Sequence, residues 1–148
     1  NNSYIDDMYA DILSLNKKKV GFLGLAFKEY TDDLRESPGL SLVTRLMESG
    51  VEVSIFDPYV LLLKNKGLLP TGVAKNTQIV QSLVSSRKEL FQNTNVIVIT
   101  NTSFLRFLSD LPTGKSLYTI YDMTHSKPKK YISAKSLSYR TPFSALYV

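Results

Sequence analysis

The densest run of side chains that could do chemistry is Gly24-Leu25-Ala26-Phe27-Lys28-Glu29-Tyr30-Thr31-Asp32-Asp33-Leu34-Arg35-Glu36-Ser37-Pro38. Lys28 and Arg35 can neutralise a pyrophosphate or hold a sugar hydroxyl. The carboxylates of Asp32, Asp33 and Glu36 cannot bind a phosphate themselves; their use is to orient the cations beside them. A salt-bridged surface loop without any ligand explains the same charges, and from the charges alone the two readings are equally supported. There is no cysteine and one histidine, His125. That removes disulfides, thiolate metal sites and a cysteine nucleophile, and leaves little ground for a Ser–His–Asp triad or a multi-histidine metal site. No catalytic residue and no metal ligand is therefore expected in this chain.

The elements around the loop have to place it. Val20 to Leu25 is a short, nearly continuous apolar run, as expected of a strand buried on both faces of a parallel sheet. Ser37 is a good N-cap and Pro38 a good first helical residue. Leu40, Leu42, Val43, Leu46 and Met47 supply the apolar stripe of the helix that follows, and Gly50 ends it. Val51 to Phe56 is the next strand, stopped by Asp57-Pro58. The loop therefore leaves the carboxyl end of a parallel strand, which is the usual ligand side of such a sheet. Tyr4 to Leu15 has helical apolar spacing and Ser3 as N-cap. Leu61 to Gly72 is ambiguous. Ser82 to Val84 reads as a short third strand, Ser86 to Gln92 as a helix, Asn95 to Thr100 as a buried strand, Ser103 to Ser109 as a helix and Leu117 to Tyr121 as a fifth strand. The alternation predicts an α/β fold: a doubly wound, mainly parallel, Rossmann-like sheet with helices on both faces.

Gly21-Phe22-Leu23-Gly24 is G-x-x-G and lacks the third glycine of a dinucleotide-binding turn. Close packing explains these glycines. Asp57 ends the second strand, where a ribose-binding acid would sit, but Asp57-Pro58 also terminates a strand on its own account.

The chain has 148 residues and a net charge of +5, and 43% of its residues are hydrophobic. This suits one globular domain. No apolar run approaches the roughly 20 residues that span a bilayer, and the polar, acidic N-terminus is no signal peptide. The absence of cysteine suits a reducing compartment, so a cytoplasmic protein that does not use a membrane is expected. After Asp122 there are five bases (Lys127, Lys129, Lys130, Lys135 and Arg140) and no acids. The reading given to that segment is a solvated basic tail. Without an accompanying nucleic-acid motif it is not read as a nucleic-acid surface.

The motif Gly24-Leu-Ala-Phe-Lys-x-x-Thr-Asp-Asp-Leu-Arg-Glu-Ser-Pro38, followed by a helix and Phe56-Asp57-Pro58, resembles the C-terminal domain of the UDP-glucose/GDP-mannose dehydrogenases. The resemblance implies that residues 1–18 are the end of an interdomain linker helix and 19–148 the nucleotide-sugar-binding domain. It implies a full-length enzyme that oxidises the sugar C6 alcohol to a carboxylate with two NAD+. A cysteine in a central domain forms a thiohemiacetal and then a thioester. The resemblance also implies that NAD is bound mainly by an N-terminal domain and that both domains lie upstream. This chain alone is then expected to be inactive. Its partners are the nucleotide sugar, the upstream domains and, at full length, a second subunit. By motif match Phe27 and Lys28 contact the nucleotide sugar, and Arg35 reaches the NAD side of the cleft. Thr31, Asp32, Asp33 and Ser37 hold the loop and cap the helix. UDP-sugar members carry Asp-Gly-Arg after the last strand, whereas this chain has Asp122-Met123-Thr124. That departure, with the Thr77 to Leu90 stretch, leans towards the GDP-mannose type. The alternatives are a UDP-glucose or UDP-N-acetylhexosamine enzyme, or a non-catalytic nucleotide-binding module.

Overall fold

The computed structural model describes residues 3–25, 33–112, 117–124 and 129–134. In chain order these form α1 (Ser3–Ser14), β1 (Lys19–Leu23), α2 (Pro38–Glu48), β2 (Glu52–Phe56), α3 (Pro58–Asn65), α4 (Thr77–Gln81) and α5 (Arg87–Asn93). There follow β3 (Val96–Ile99), a 3₁₀ helix (Thr102–Asp110), β4 (Leu117–Asp122) and β5 (Lys129–Ala134). The sheet order is β2-β1-β3-β4-β5. The first four strands are parallel and β5 runs antiparallel to β4.

The apolar runs become the central strands because both faces of the sheet are covered. On one face Val20, Phe22, Val53, Ile55, Val96 and Val98 meet the apolar sides of α1 and α2. On the other Leu23, Phe56, Ile97, Ile99 and Ile120 meet α5 and the 3₁₀ helix. The fold is the doubly wound α/β sheet expected, with helices on both faces. Gly21 is a packing glycine: a Cβ there would lie 2.9 Å from Thr94 Cγ2 and 3.0 Å from Leu90 Cδ1.

Two local expectations are corrected, and a third, the helix at Ser103 to Ser109, holds with its winding specified. Ser82 to Val84 does not form a strand of its own. Leu83 makes one isolated parallel bridge to Ile55, because α4 ends at Gln81 and the Ser86 cap of α5 follows within a few residues. Ser103 to Ser109 winds as a 3₁₀ helix, with Phe104, Phe107 and Leu108 on its buried side. The basic segment after Asp122 is not simply a solvated tail, since Lys129–Ala134 is the antiparallel edge strand.

Helix α1 is bound into the core. Ile5, Met8 and Ile12 are buried together with Val20, Val43 and Leu46. Burying three such side chains is worth roughly 1.5–3 kcal/mol each, against about 0–1 kcal/mol for an exposed ion pair. The packing therefore dominates, and the polar contacts fix orientation. Arg45 pairs with Asp6 and lies 4.2 Å above the Tyr9 ring. On the opposite flank Asp11 accepts from Lys130 Nζ at 2.8 Å and from the hydroxyl of the fully buried Tyr121. Burial alone pushes the Asp11 carboxyl up, but the hydrogen bonds from Lys130 and Tyr121 and the charge of Lys130 together hold it below its ordinary value.

A depressed folded-state pKa means that this carboxylate stabilises the fold above the ordinary aspartate pKa of about 3.9, and that the contribution fades as pH falls through the lower folded value. Asp11→Asn should cost about 1 kcal/mol near neutral pH, the scale of a partly buried hydrogen-bonded group. The gap from wild type should shrink as pH falls below about 4. Urea unfolding of both proteins from pH 7 to pH 3 checks this; a gap independent of pH would remove the ion pair from the account.

Candidate functional site at the carboxyl edge of the sheet

The sheet order reverses between β1 and β3, so the ligand crevice of such a fold should open beyond Leu23 and Ile99. Here the crevice itself is filled. Thr100 donates to the Leu23 carbonyl from both its backbone N (3.2 Å) and its hydroxyl (3.1 Å). Gly24 has φ +91°, a conformation that favours glycine, and a Cβ there would fall 2.2 Å from the Phe104 ring. Asn101 caps the 3₁₀ helix by accepting from Ser103 N at 2.9 Å. The described residues at this point therefore form no dinucleotide cradle.

Asp57 adds to that conclusion. It is only 4% exposed. Its Oδ1 accepts from Tyr59 N and Val60 N, both at 3.1 Å, and caps α3. Its Oδ2 accepts from Leu25 N at 3.0 Å. The acid at the end of β2 is thus turned inward to backbone and does not project as a ribose acceptor.

The polar loop is fastened at its base. Leu25 is fully buried, its N–H is held by Asp57, and its carbonyl accepts a short hydrogen bond from Ser37 Oγ. Ser37 also caps α2 by accepting from Leu40 N at 3.3 Å. Gly39 lets the two chains meet: a Cβ there would lie 2.8 Å from the Leu25 carbonyl and 2.9 Å from Thr100 Cγ2. On the return side Leu34 is buried and donates from its N to Thr71 O at 2.8 Å, and Ser37 N donates to Leu34 O at 3.0 Å. The chain thus leaves the sheet at Leu25 and is taken up again at Leu34, with both limbs fastened to the carboxyl edge.

Of the expected site residues, Phe27 and Lys28 lie outside the described residues, as do Thr31 and Asp32. Arg35 sits on the return limb with its side chain 66% exposed. Asp33 accepts from Arg35 N (3.0 Å) and Nε (3.0 Å) through Oδ1, and from Nη2 (2.6 Å) through Oδ2. An aspartate accepting from the N–H two residues on is an Asx turn; the added guanidinium fork makes it bidentate. The fork holds the Asp33 carboxyl below its usual value and pushes Arg35 further up. Among the described residues Asp33 supplies the hydrogen bonds that orient this arginine, and Glu36 adds only a weaker charge effect.

At the end of β4, Asp122 is buried and accepts from Thr124 N at 2.8 Å and from the Thr124 hydroxyl, closing a turn where UDP-sugar members are expected to carry glycine and arginine. Sequence reasoning missed the roles of Thr100, Asn101 and Asp57 in this edge. Only the position of each polar residue directly after an apolar strand signals them. Among the described residues no group of histidine, cysteine and acidic side chains could hold a metal ion, and no helix is long and apolar enough to cross a membrane.

Comparison with known proteins matches this architecture. Residues 21–127 fit the UDP-glucose/GDP-mannose dehydrogenase family, UDP binding domain. The GDP-mannose 6-dehydrogenase of Pseudomonas aeruginosa is 35% identical over 120 residues, covering 79% of this chain and 28% of that protein. The enzyme of the same name from Azotobacter vinelandii is 31% identical over 137 residues, covering 90% of this chain and 31% of its own length. A ternary complex of GDP-mannose dehydrogenase from Pseudomonas aeruginosa superposes with a TM-score of 0.65 at 32% identity, over 80% of this chain and 27% of that one. A UDP-glucose dehydrogenase from the archaeon Pyrobaculum islandicum superposes with a TM-score of 0.56 at 25% identity, over 82% of this chain and 26% of that one. The chain thus spans less than a third of the length of these relatives. It belongs to the UDP-glucose/GDP-mannose dehydrogenase family and corresponds to that family's C-terminal nucleotide-sugar-binding domain.

Proposed function

We propose that this chain closes the substrate cleft of an NAD-dependent nucleotide-sugar 6-dehydrogenase that converts GDP-mannose to GDP-mannuronate, a nucleotide-linked uronic acid for a surface polysaccharide. The observation that carries the reading is the loop that leaves β1 at Leu25 and returns at Leu34. Its two limbs are pinned at the carboxyl edge, the ligand side of such a sheet, and the sequence between them contains Phe27 and Lys28. GDP-mannose is favoured over a UDP-sugar by the relatives named GDP-mannose 6-dehydrogenase and by Asp122-Met123-Thr124, which brings no arginine to the end of β4.

In this reading Phe27 and Lys28 bind the nucleotide sugar, Lys28 as a charge or hydroxyl partner. Arg35, already oriented by Asp33, presents its remaining N–H groups towards NAD held by an upstream domain. The dinucleotide itself is held by another domain in this reading, since the described residues form no cradle for it. What this chain contributes is binding, orientation and exclusion of water as the cleft closes. The oxidation, the cysteine that carries the sugar and the dimer contact belong to the upstream domains of a cytoplasmic homodimer, and α1 is the end of the helix that leads from them.

The isolated chain should form no NADH with GDP-mannose or UDP-glucose, because the NAD domain and the cysteine are not in it; NADH production by the pure chain would overturn the division of labour. In the full-length enzyme Lys28→Ala should lower kcat/KM by tenfold or more, while stability changes by less than ~0.5 kcal/mol, as at ordinary surface sites. Unchanged kinetics with a weakened fold would make Lys28 a structural residue. Arg35→Lys keeps the charge and loses the planar fork, so NAD-dependent turnover should fall severalfold. If only the melting temperature falls, Arg35 is a loop tie and leaves the site.

A further inference from the structure

Asp57 has no place in the nucleotide-sugar reading, yet it joins two separate pieces of the carboxyl edge. Its carboxylate lies nine-tenths buried and receives three backbone N–H groups: those of Tyr59 and Val60 on one oxygen and that of Leu25 on the other. The first two belong to the start of α3. The third belongs to the last residue before the loop that carries Phe27 and Lys28. We propose that Asp57 is a positioning residue: one oxygen holds α3, the other holds the Leu25 peptide, and together they fix the point and direction at which the loop leaves the sheet. The inference rests on the reading of that loop as the nucleotide-sugar-binding element.

The chemistry requires an aspartate. These three backbone groups are donors on both oxygens, so each oxygen must accept, and an ionised carboxylate is acceptor-only. Asparagine caps a helix as well as aspartate does. Its amide, however, always turns an N–H₂ towards one of the two sides, setting a donor against a donor. Serine also caps well, but one short hydroxyl cannot span α3 and Leu25 together. The lever is short. Phe27 and Lys28 lie two and three Cα steps of ~3.8 Å beyond Leu25, so a shift in that peptide passes directly to them. A misplacement of ~1 Å at a positioned group can cost ~100-fold in a reaction. The Ser37 hydroxyl holds the other side of the same residue, at the Leu25 carbonyl. Without Asp57 the Leu25 N–H loses this acceptor, and of the two contacts only the one on the following peptide, at the Leu25 carbonyl, remains.

The test uses the ¹⁵N-labelled 148-residue chain, with GDP as the probe and UDP as comparator. Asp57→Asn and Asp57→Ser are compared with wild type by amide hydrogen exchange and by calorimetric titration. The expected result is that exchange at Leu25 speeds up tenfold or more in both variants, that Tyr59 and Val60 stay within about threefold in the serine variant, and that the GDP dissociation constant rises at least tenfold. Variants that bind GDP as wild type does would overturn the positioning role while leaving the nucleotide reading intact. A wild type that binds neither GDP nor UDP would instead overturn the nucleotide reading of this chain, and the positioning role with it. If both variants lose the native amide spectrum altogether, Asp57 is a folding residue, which also overturns the proposal.

Discussion

The carboxyl edge of this domain depends on how one residue, Leu25, is held by the peptides on either side of it. A chain leaving a buried strand carries an N–H and a carbonyl that cannot be left unpaired without a cost of about 1–3 kcal/mol each. Here the N–H goes to Asp57 and the carbonyl to Ser37. Each of those side chains simultaneously caps a helix, Asp57 at α3 and Ser37 at α2. Two helices, two strands and the loop are thereby referred to a single residue. The glycine at 39 is needed because this arrangement brings the start of α2 against the Leu25 carbonyl, at a distance where a methyl group would collide.

The same economy explains what the edge does not do. A dinucleotide-binding turn needs open space beside its glycines and a projecting acid at the end of the next strand. Here Thr100 and the Phe104 ring occupy the first, and the acid has become a backbone acceptor. Among the described residues the switch point therefore offers no open dinucleotide site, which is why the proposed reading assigns NAD to another domain. At the opposite flank α1 is bound by apolar burial and trimmed by the Asp11–Lys130–Tyr121 contact, so it is fixed relative to the same sheet.

Much of this was legible in the residues. The central strands announced themselves because burial on both faces leaves an uninterrupted apolar run, and α2 because Ser37-Pro38 and the stripe to Met47 agree with each other. The loop was legible as a set of residue types at fixed spacing. Strand β5 was not: Lys129 and Lys130 open it, and its partners are β4 and the distant Asp11, which no local pattern reveals. The 3₁₀ winding of Thr102–Asp110 also escaped, since its apolar spacing does not separate it from an α-helix. Within the site, the surroundings of Arg35 were read as three acids; the turn places Asp33 on it, through a contact two residues away that depends on backbone geometry. The inward turn of Asp57 was hidden because Asp-Pro ends strands for several reasons.

The central claim is that the nucleotide sugar lies on the loop above the carboxyl edge, whose base is set by Leu25. A crystal structure of the full-length protein with GDP-mannose tests it most directly. The account predicts the diphosphate and sugar over the loop, Lys28 within hydrogen-bonding distance of them, and the Leu25 N–H still on Asp57. A nucleotide seated at the amino edge of the sheet, or in the roughly 410 Å³ cleft lined by Arg87, Lys88, Gln92, Asp110 and Pro112, would contradict it.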